Sequence, residues 1–219
     1  MKKKEKKPWP TKETMVQVYE KNLWGSNETH FYSGIGSHDP EIIAPYINVV
    51  NSFLTSFKDS IVVCDLGCGD FNVGKELVKY TKKYIAVDIV NDLITHHKEI
   101  FKNKNLEFHC LDIAEDDLPS ADCALIRQVL QHLSNVEVQN IVSKLNAFKY
   151  IILTEHLPDE DFKPNKNIIS GQGIRLKKKS GINLLLCPFN LKIVKEKQLL
   201  SITPENTKGR IVTTLYQMY

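Results

Sequence analysis

Arginine is almost missing from this chain: it stands only at positions 127, 175 and 210, although lysine and arginine together number 29 of 219 residues. Lysine supplies a hydrated point charge, not the planar fork that grips a phosphate or carboxylate at two points. The few arginines therefore mark places where that fork is wanted. Net charge is small, +3 with 26 acidic residues, and no basic stripe interleaved with aromatics stands out, so nucleic acid is not an expected partner. No apolar run approaches the roughly 20 residues of a membrane-spanning helix. The five cysteines (64, 68, 110, 123, 187) form no C-x-x-C pair, which argues against a metal site or a disulfide framework. Most fall inside predicted strands, as reduced, buried thiols of a cytoplasmic protein do. The opening MKKKEKK runs into PWPTKET and not into an apolar segment. It reads as a disordered basic tail over residues 1–10, not as a signal peptide. No internal repeat is visible.

With 42% hydrophobic residues, the chain is long enough for one well-cored domain, expected over residues 11–219. Its organising stretch is Ile61–Gly74, IVVCDLGCGDFNVG. Four apolar residues, three of them β-branched, predict a strand buried on both faces. Gly67 and Gly69 let the backbone turn sharply and approach a ligand closely. A helix predicted from Val73 then aims its free N–H groups above the strand end. The dinucleotide-binding fingerprint G-x-G-x-x-G fails at its third glycine, where Asn72 stands.

Before this stretch, Thr11–Trp24 predicts a short amphipathic helix. The loop Gly25–His38 follows, with its glycines, aromatics and hydroxyls grouped as in ligand-closing loops. Asp39-Pro40-Glu41 is a helix start, with an N-cap carboxylate and proline at N1. From Ile61 to Glu155 strands (84–89, 106–111, 122–127, 150–155) alternate with helices (73–82, 91–101, 134–147), which predicts a parallel sheet covered on both faces. Ligands of such sheets sit at the carboxyl ends of the strands. The glycine- and lysine-containing stretch 158–181 is long and irregular, a candidate lid. Two β-rich stretches, 191–202 and 210–218, close the chain.

The run Asp65-Leu-Gly67-Cys68-Gly69-Asp70, with further acidic strand ends at Asp88 and Asp112, resembles the class I S-adenosylmethionine (SAM)-dependent methyltransferases. The resemblance covers about 150 residues, from Ile61 to the C-terminus. It implies a Rossmann-like α/β fold: a seven-stranded, mostly parallel sheet with a C-terminal antiparallel hairpin. An N-terminal helical cap (11–58) and a lid or acceptor region (158–190) would complete it. It also implies SAM as cofactor, without a metal. Gly67, Cys68 and Gly69 would lend backbone to its methionine part, and Asp65 would reach its amino group. Asp88, with Ile89, would hold the ribose hydroxyls. Asp112 would take the adenine amine and Ile113 would pack on the ring. Gln128, after the fourth strand, completes the expected cofactor set.

That fourth strand end bears on the acceptor. Nucleobase-amine methyltransferases carry an [N/D/S]-P-P-[Y/F/W] turn here and catechol-type enzymes an aspartate; this chain has Arg127-Gln128. RQVLQHL, Thr154-Glu155-His156 and Pro188-Phe189 resemble instead small-molecule methyltransferases, including bacterial enzymes that tailor surface sugars. A hydroxyl acceptor benefits from a general base, and histidine suits that task. His132, His156 and His38 are the candidates, with Glu155 orienting one of them or binding substrate. Tyr32 and His38 from the loop, and Arg127 and Arg175 as anion clamps, are candidate acceptor contacts. O-methylation of a sugar, nucleotide-linked sugar or capsule-type precursor is the expected reaction. The alternatives are N-methylation of a small amine or phosphoramide, and a SAM-binding partner subunit without catalysis.

Overall fold

The structure, a computed structural model, describes residues 9–27, 31–205 and 208–219; most of the tail expected over residues 1–10 lies outside the described residues. β1 (Val62–Leu66), β2 (Lys83–Asp88), β3 (Leu106–Cys110), β4 (Cys123–Arg127), β5 (Tyr150–Leu157), β6 (Lys195–Ile202) and β7 (Arg210–Gln217) form one sheet in the order β3-β2-β1-β4-β5-β7-β6. The first five are parallel; β7 runs antiparallel to β5, and β6 to β7. This is the expected α/β architecture with its C-terminal hairpin. Strand order reverses between β1 and β4, so the chain segments leaving those strands diverge and open a crevice at that rim.

The central strands explain their own burial. Val63, Cys64 and Leu66 of β1, and Cys123–Ile126 of β4, are closed off from solvent, as expected for strands covered on both faces. Helices α3 (Gly74–Leu77), α4 (Asn91–Ile100) and α5 (Asn135–Lys144) connect them. α3 is much shorter than the expected 73–82 helix because Val78–Tyr80 tighten into a 3-10 turn. α5 begins in a capping box, Ser134 accepting from Glu137 N–H while the Glu137 carboxylate accepts from Ser134 N–H.

The N-terminal helices α1 (Thr11–Glu20) and α2 (Pro40–Leu54) precede the sheet. Asp39 caps α2 by accepting from Glu41 N–H, with Pro40 at its first position, as the sequence predicts. Between β5 and β6 the chain has no strand, only a 3-10 turn at Arg175–Lys178. The stretch expected as a lid is pinned: Gly171 N–H donates to His132 O at 3.0 Å, and Asn165 Nδ2 donates to Asn183 O at 2.8 Å.

Candidate active site: two cavities sharing a wall

The carboxyl ends of β3, β2 and β1 lie side by side, which lines up Asp112, Asp88 and Asp65 along one rim. The turn after β1 is drawn across to β2, because Val87 O accepts from both Gly67 N–H (2.8 Å) and Cys68 N–H (2.9 Å). Asp88 holds the same turn from its side chain, accepting from Gly69 N–H at 3.0 Å and from Val90 N–H at 3.1 Å. The cavity these residues surround is lined by Asp65, Gly67, Cys68, Gly69, Asp88, Ile89, Asp112, Ile113 and Gln128. All nine residues expected to meet the cofactor thus border one space. Burial pushes the Asp65 carboxyl up to about 6, in spite of the Tyr84 hydroxyl donating to it at 2.8 Å and the Arg127 charge. Burial also raises Asp88, opposed by its two backbone donors.

The roof of this cavity comes from the N-terminal segment, where the sequence leads one to expect a helical cap and a ligand-closing loop. Met15 and Tyr19 of α1, together with Trp24, Ser33 and Ser37, close this cavity from above. Asp70 fastens the roof to the glycine turn. Its Oδ2 accepts from Ser33 N–H at 2.6 Å and contacts His38 Nε2 at 2.7 Å, while its own N–H donates to Ser33 Oγ at 2.8 Å. Asn72 adds a bond to Ser37 O. The only signal for this was the grouping of polar residues in the Gly25–His38 loop.

A second cavity lies beside the first and shares Trp24, Ser33, Gln128 and His132 with it. Gln131, His156, Gln172 and Lys177 supply its other polar walls, and Ile35, Ile42, Ile174 and Ile211 its apolar ones. Gln128 sits at a left-handed φ of 56°, an uncommon conformation for a residue with a side chain. Its Nε2 is buried with no hydrogen-bond partner, and so is His156 Nε2. Both atoms belong to residues that border this cavity, where a ligand could satisfy them. His132 Nδ1 lies 3.2 Å from Gly171 O; a carbonyl only accepts, so Nδ1 carries the proton and Nε2 is the acceptor, facing the Gln131 Nε2 amide at 3.4 Å. Burial lowers His132 to about 4, leaving it neutral near pH 7. The Trp24 indole packs on it at 5.1 Å.

Four expected contacts fall elsewhere. Arg175 is wholly buried and lines neither cavity. Its guanidinium donates to Leu130 O, Leu133 O, Lys166 O and Asn135 Oδ1, so no donor face is left for an anion. Arg127 lines the first cavity, not the second, and is a strut of the roof: it donates to Gly36 O and Ser37 Oγ and stacks on Tyr46. Tyr32 and His38 stack on each other at 4.4 Å and line neither cavity, since His38 is turned to Asp70.

Glu155 also lines neither cavity; it is 2% exposed, and neither oxygen has a hydrogen-bond partner. Burial pushes its carboxyl up to about 8 despite the Arg175 charge. The folded state therefore holds a proton that the unfolded chain has released, and stability falls as pH rises from about 4.5 to about 8. Glu155→Gln, which cannot titrate, is expected to remove that slope of up to about 1.4 kcal/mol per pH unit, so its stability relative to wild type rises between pH 5 and pH 8. Urea unfolding of both proteins at pH 5 and pH 8 measures it.

Residues 63–149, which contain this rim, match the family model described as a methyltransferase domain. No curated protein sequence matches the chain. Among solved structures, it is similar to the N-methyltransferase NodS from Bradyrhizobium japonicum WM9 in complex with S-adenosyl-L-homocysteine (SAH). That likeness has a TM-score of 0.66 at 10% identity, covering 94% of this chain and 98% of that one. It is also similar to the 1,6-didemethyltoxoflavin-N1-methyltransferase of Burkholderia thailandensis (TM-score 0.58, 14% identity, 95% and 87% covered). A third likeness is to the N-terminal domain of EvdMO1, solved with SAH and D-fucose (TM-score 0.56, 12% identity, 80% and 83% covered). These likenesses show the fold.

SAM is the cofactor of such domains, and the residues around the first cavity fit it. A Cβ added to Gly67 would come within 2.4 Å of Val129 Cγ2, and one added to Gly69 within 2.5 Å of Ser33 Oγ. The bare backbone thus lets Val129 and the roof residue Ser33 close directly on the turn. Buried carboxylates suit a ligand that carries an ammonium, a sulfonium and ribose hydroxyls. The matched stretch has its three strand-end acids, Asp65, Asp88 and Asp112, on this cavity. Among the described residues no cluster of potential metal ligands occurs, and no helix is long and apolar enough to cross a membrane.

Proposed function

We propose that the chain moves the methyl group of SAM to a hydroxyl of a small acceptor, a sugar, nucleotide-linked sugar or capsule-type precursor. The observation that carries this reading is the junction of two cavities at His132 and Gln128, one rimmed by acids and the other walled by amides, imidazoles and an indole. In the first, Asp65 would meet the amino group, and Gly67, Cys68 and Gly69 the methionine part. Asp88 and Ile89 would meet the ribose, and Asp112 and Ile113 the adenine. When bound, the cofactor supplies a methyl group already activated on a sulfonium. What remains to the protein is alignment and exclusion of water, and the roof of α1 and the 31–38 loop does both.

In the second cavity the acceptor oxygen would lie against His132 Nε2, with Gln128 Nε2 and His156 Nε2 as its unpaired neighbours. His132 is a weak base, so its part comes late, when the oxygen has begun to bond carbon and its proton has become acidic. Among the described residues no carboxylate lines this cavity, so a cationic amine would meet no counter-charge there. Lys177 would accommodate an anionic group. The EvdMO1 domain solved with D-fucose favours a sugar, whereas NodS and the toxoflavin enzyme are N-methyltransferases.

Incubation with methyl-labelled SAM and a panel of monosaccharides, nucleotide sugars and small amines tests the reading. Mass spectrometry is expected to find the label on oxygen. Label on nitrogen would overturn the hydroxyl assignment. SAH binding with no transfer to extracts or panel would favour a non-catalytic binding subunit.

A further inference from the structure

Gly69 is held from three directions. Its N–H donates to Asp88, and the next N–H, that of Asp70, donates to Ser33 Oγ of the roof. The carbonyl between them accepts a third bond, at 2.8 Å, from His97 Nε2 on α4. His97 is 1% exposed and lines neither cavity. It lies among the rings of Phe71, Phe101 and Phe108, at centroid distances of 5.9, 5.7 and 5.3 Å.

An imidazole is an expensive occupant for such a place. Its second nitrogen, Nδ1, is buried without a hydrogen-bond partner, and a leucine or phenylalanine would fill the same space without desolvating a polar ring. What an apolar residue cannot supply is the N–H directed at Gly69 O. Since that carbonyl only accepts, Nε2 must carry the proton, and Nδ1 is then the bare nitrogen left among the phenyl rings.

We propose that His97 is a positioning residue for the cofactor: its Nε2–H fixes the Gly69 peptide at the left-handed φ of 55° that keeps the turn open to the methionine part of SAM. This rests on the reading of the first cavity as the SAM site. Phe71, in the same turn, is also left-handed (φ 62°) and wholly buried, and its ring leans on His97. The turn is thereby tied to α4 by one hydrogen bond and one packed ring. Without the bond, the peptide is free to rotate and the backbone surface is no longer preformed, which costs affinity rather than contact.

Calorimetry with SAH on the full chain tests this, with thermal melting as the control for folding. His97→Phe and His97→Met fill the aromatic box and lack the donor; each is expected to weaken SAH binding about tenfold, near the typical net value of one hydrogen bond. His97→Gln places an amide N–H close to where Nε2 stands and is expected to recover most of that loss. Equal affinity in wild type and the apolar variants would overturn the proposal, and so would a glutamine variant as weak as they are. If neither apolar variant folds, nitrogen NMR of the wild-type imidazole still decides: Nε2 protonated is required, and the opposite tautomer removes the donor. Failure of the wild type itself to bind SAH would overturn the underlying site reading instead.

Discussion

Asp88→Ala is expected to weaken SAH binding by about 1.5–3 kcal/mol, roughly 10- to 150-fold, the range for hydrogen bonds to a charged group. Two losses contribute. On the proposed site reading the ribose hydroxyls would lose a carboxylate partner, and the N–H groups of Gly69 and Val90, now bonded to Asp88 at 3.0 and 3.1 Å, lose their acceptor. Asp88→Asn separates these losses, because its single amide oxygen still accepts from the backbone while the charge is gone. A melting temperature close to wild type in the asparagine variant, together with weakened binding in calorimetry, would assign the loss to the ligand. Unchanged affinity in both variants would mean that the ribose does not lie at the end of β2.

Gly67→Ala is expected to cost about 2–5 kcal/mol of folding stability. Gly67 has a φ of 87°, which disfavours any Cβ by about 1–2 kcal/mol. The added methyl would also sit 2.4 Å from Val129 Cγ2 and 3.2 Å from Cγ1. Val129 is β-branched and therefore stiff at χ1, and its Cβ itself lies 3.4 Å from the added methyl, so relief by side-chain or backbone shift costs a further ~1–3 kcal/mol. Any such shift moves the turn that borders the first cavity, so SAH binding should fall with stability. Gly173→Ala is the control, since nothing lies within 4 Å of a Cβ there. Urea unfolding of the two variants makes the comparison; a Gly67→Ala protein within about 0.5 kcal/mol of wild type, the usual spread for harmless surface changes, would contradict it.

The sheet was readable from sequence because its strands carry their own signal. Buried parallel strands are continuous apolar runs, and each of the first three leads into an aspartate at or near its carboxyl end. Once those strands are adjacent, the acids are neighbours with no further information. Side chains on irregular segments have no such rule. Arg175 looked like an anion clamp because a lone arginine in a lysine-rich stretch suggests one. Its guanidinium instead holds together the main-chain carbonyls of a region without regular structure, a need that the sequence does not display. His38 and Tyr32 were placed in the right loop but assigned the wrong direction, since the partner that turns His38 away is Asp70, 32 residues later. Nothing in the sequence sets His97 apart from any histidine on a helix, because its partner, Gly69 O, is a main-chain atom 28 residues earlier.

Ser33 borders both cavities, and its two bonds to Asp70 tie that shared wall to the glycine turn. A substitution at Ser33 is therefore expected to be felt in both cavities at once, because one hydroxyl serves the boundary of each.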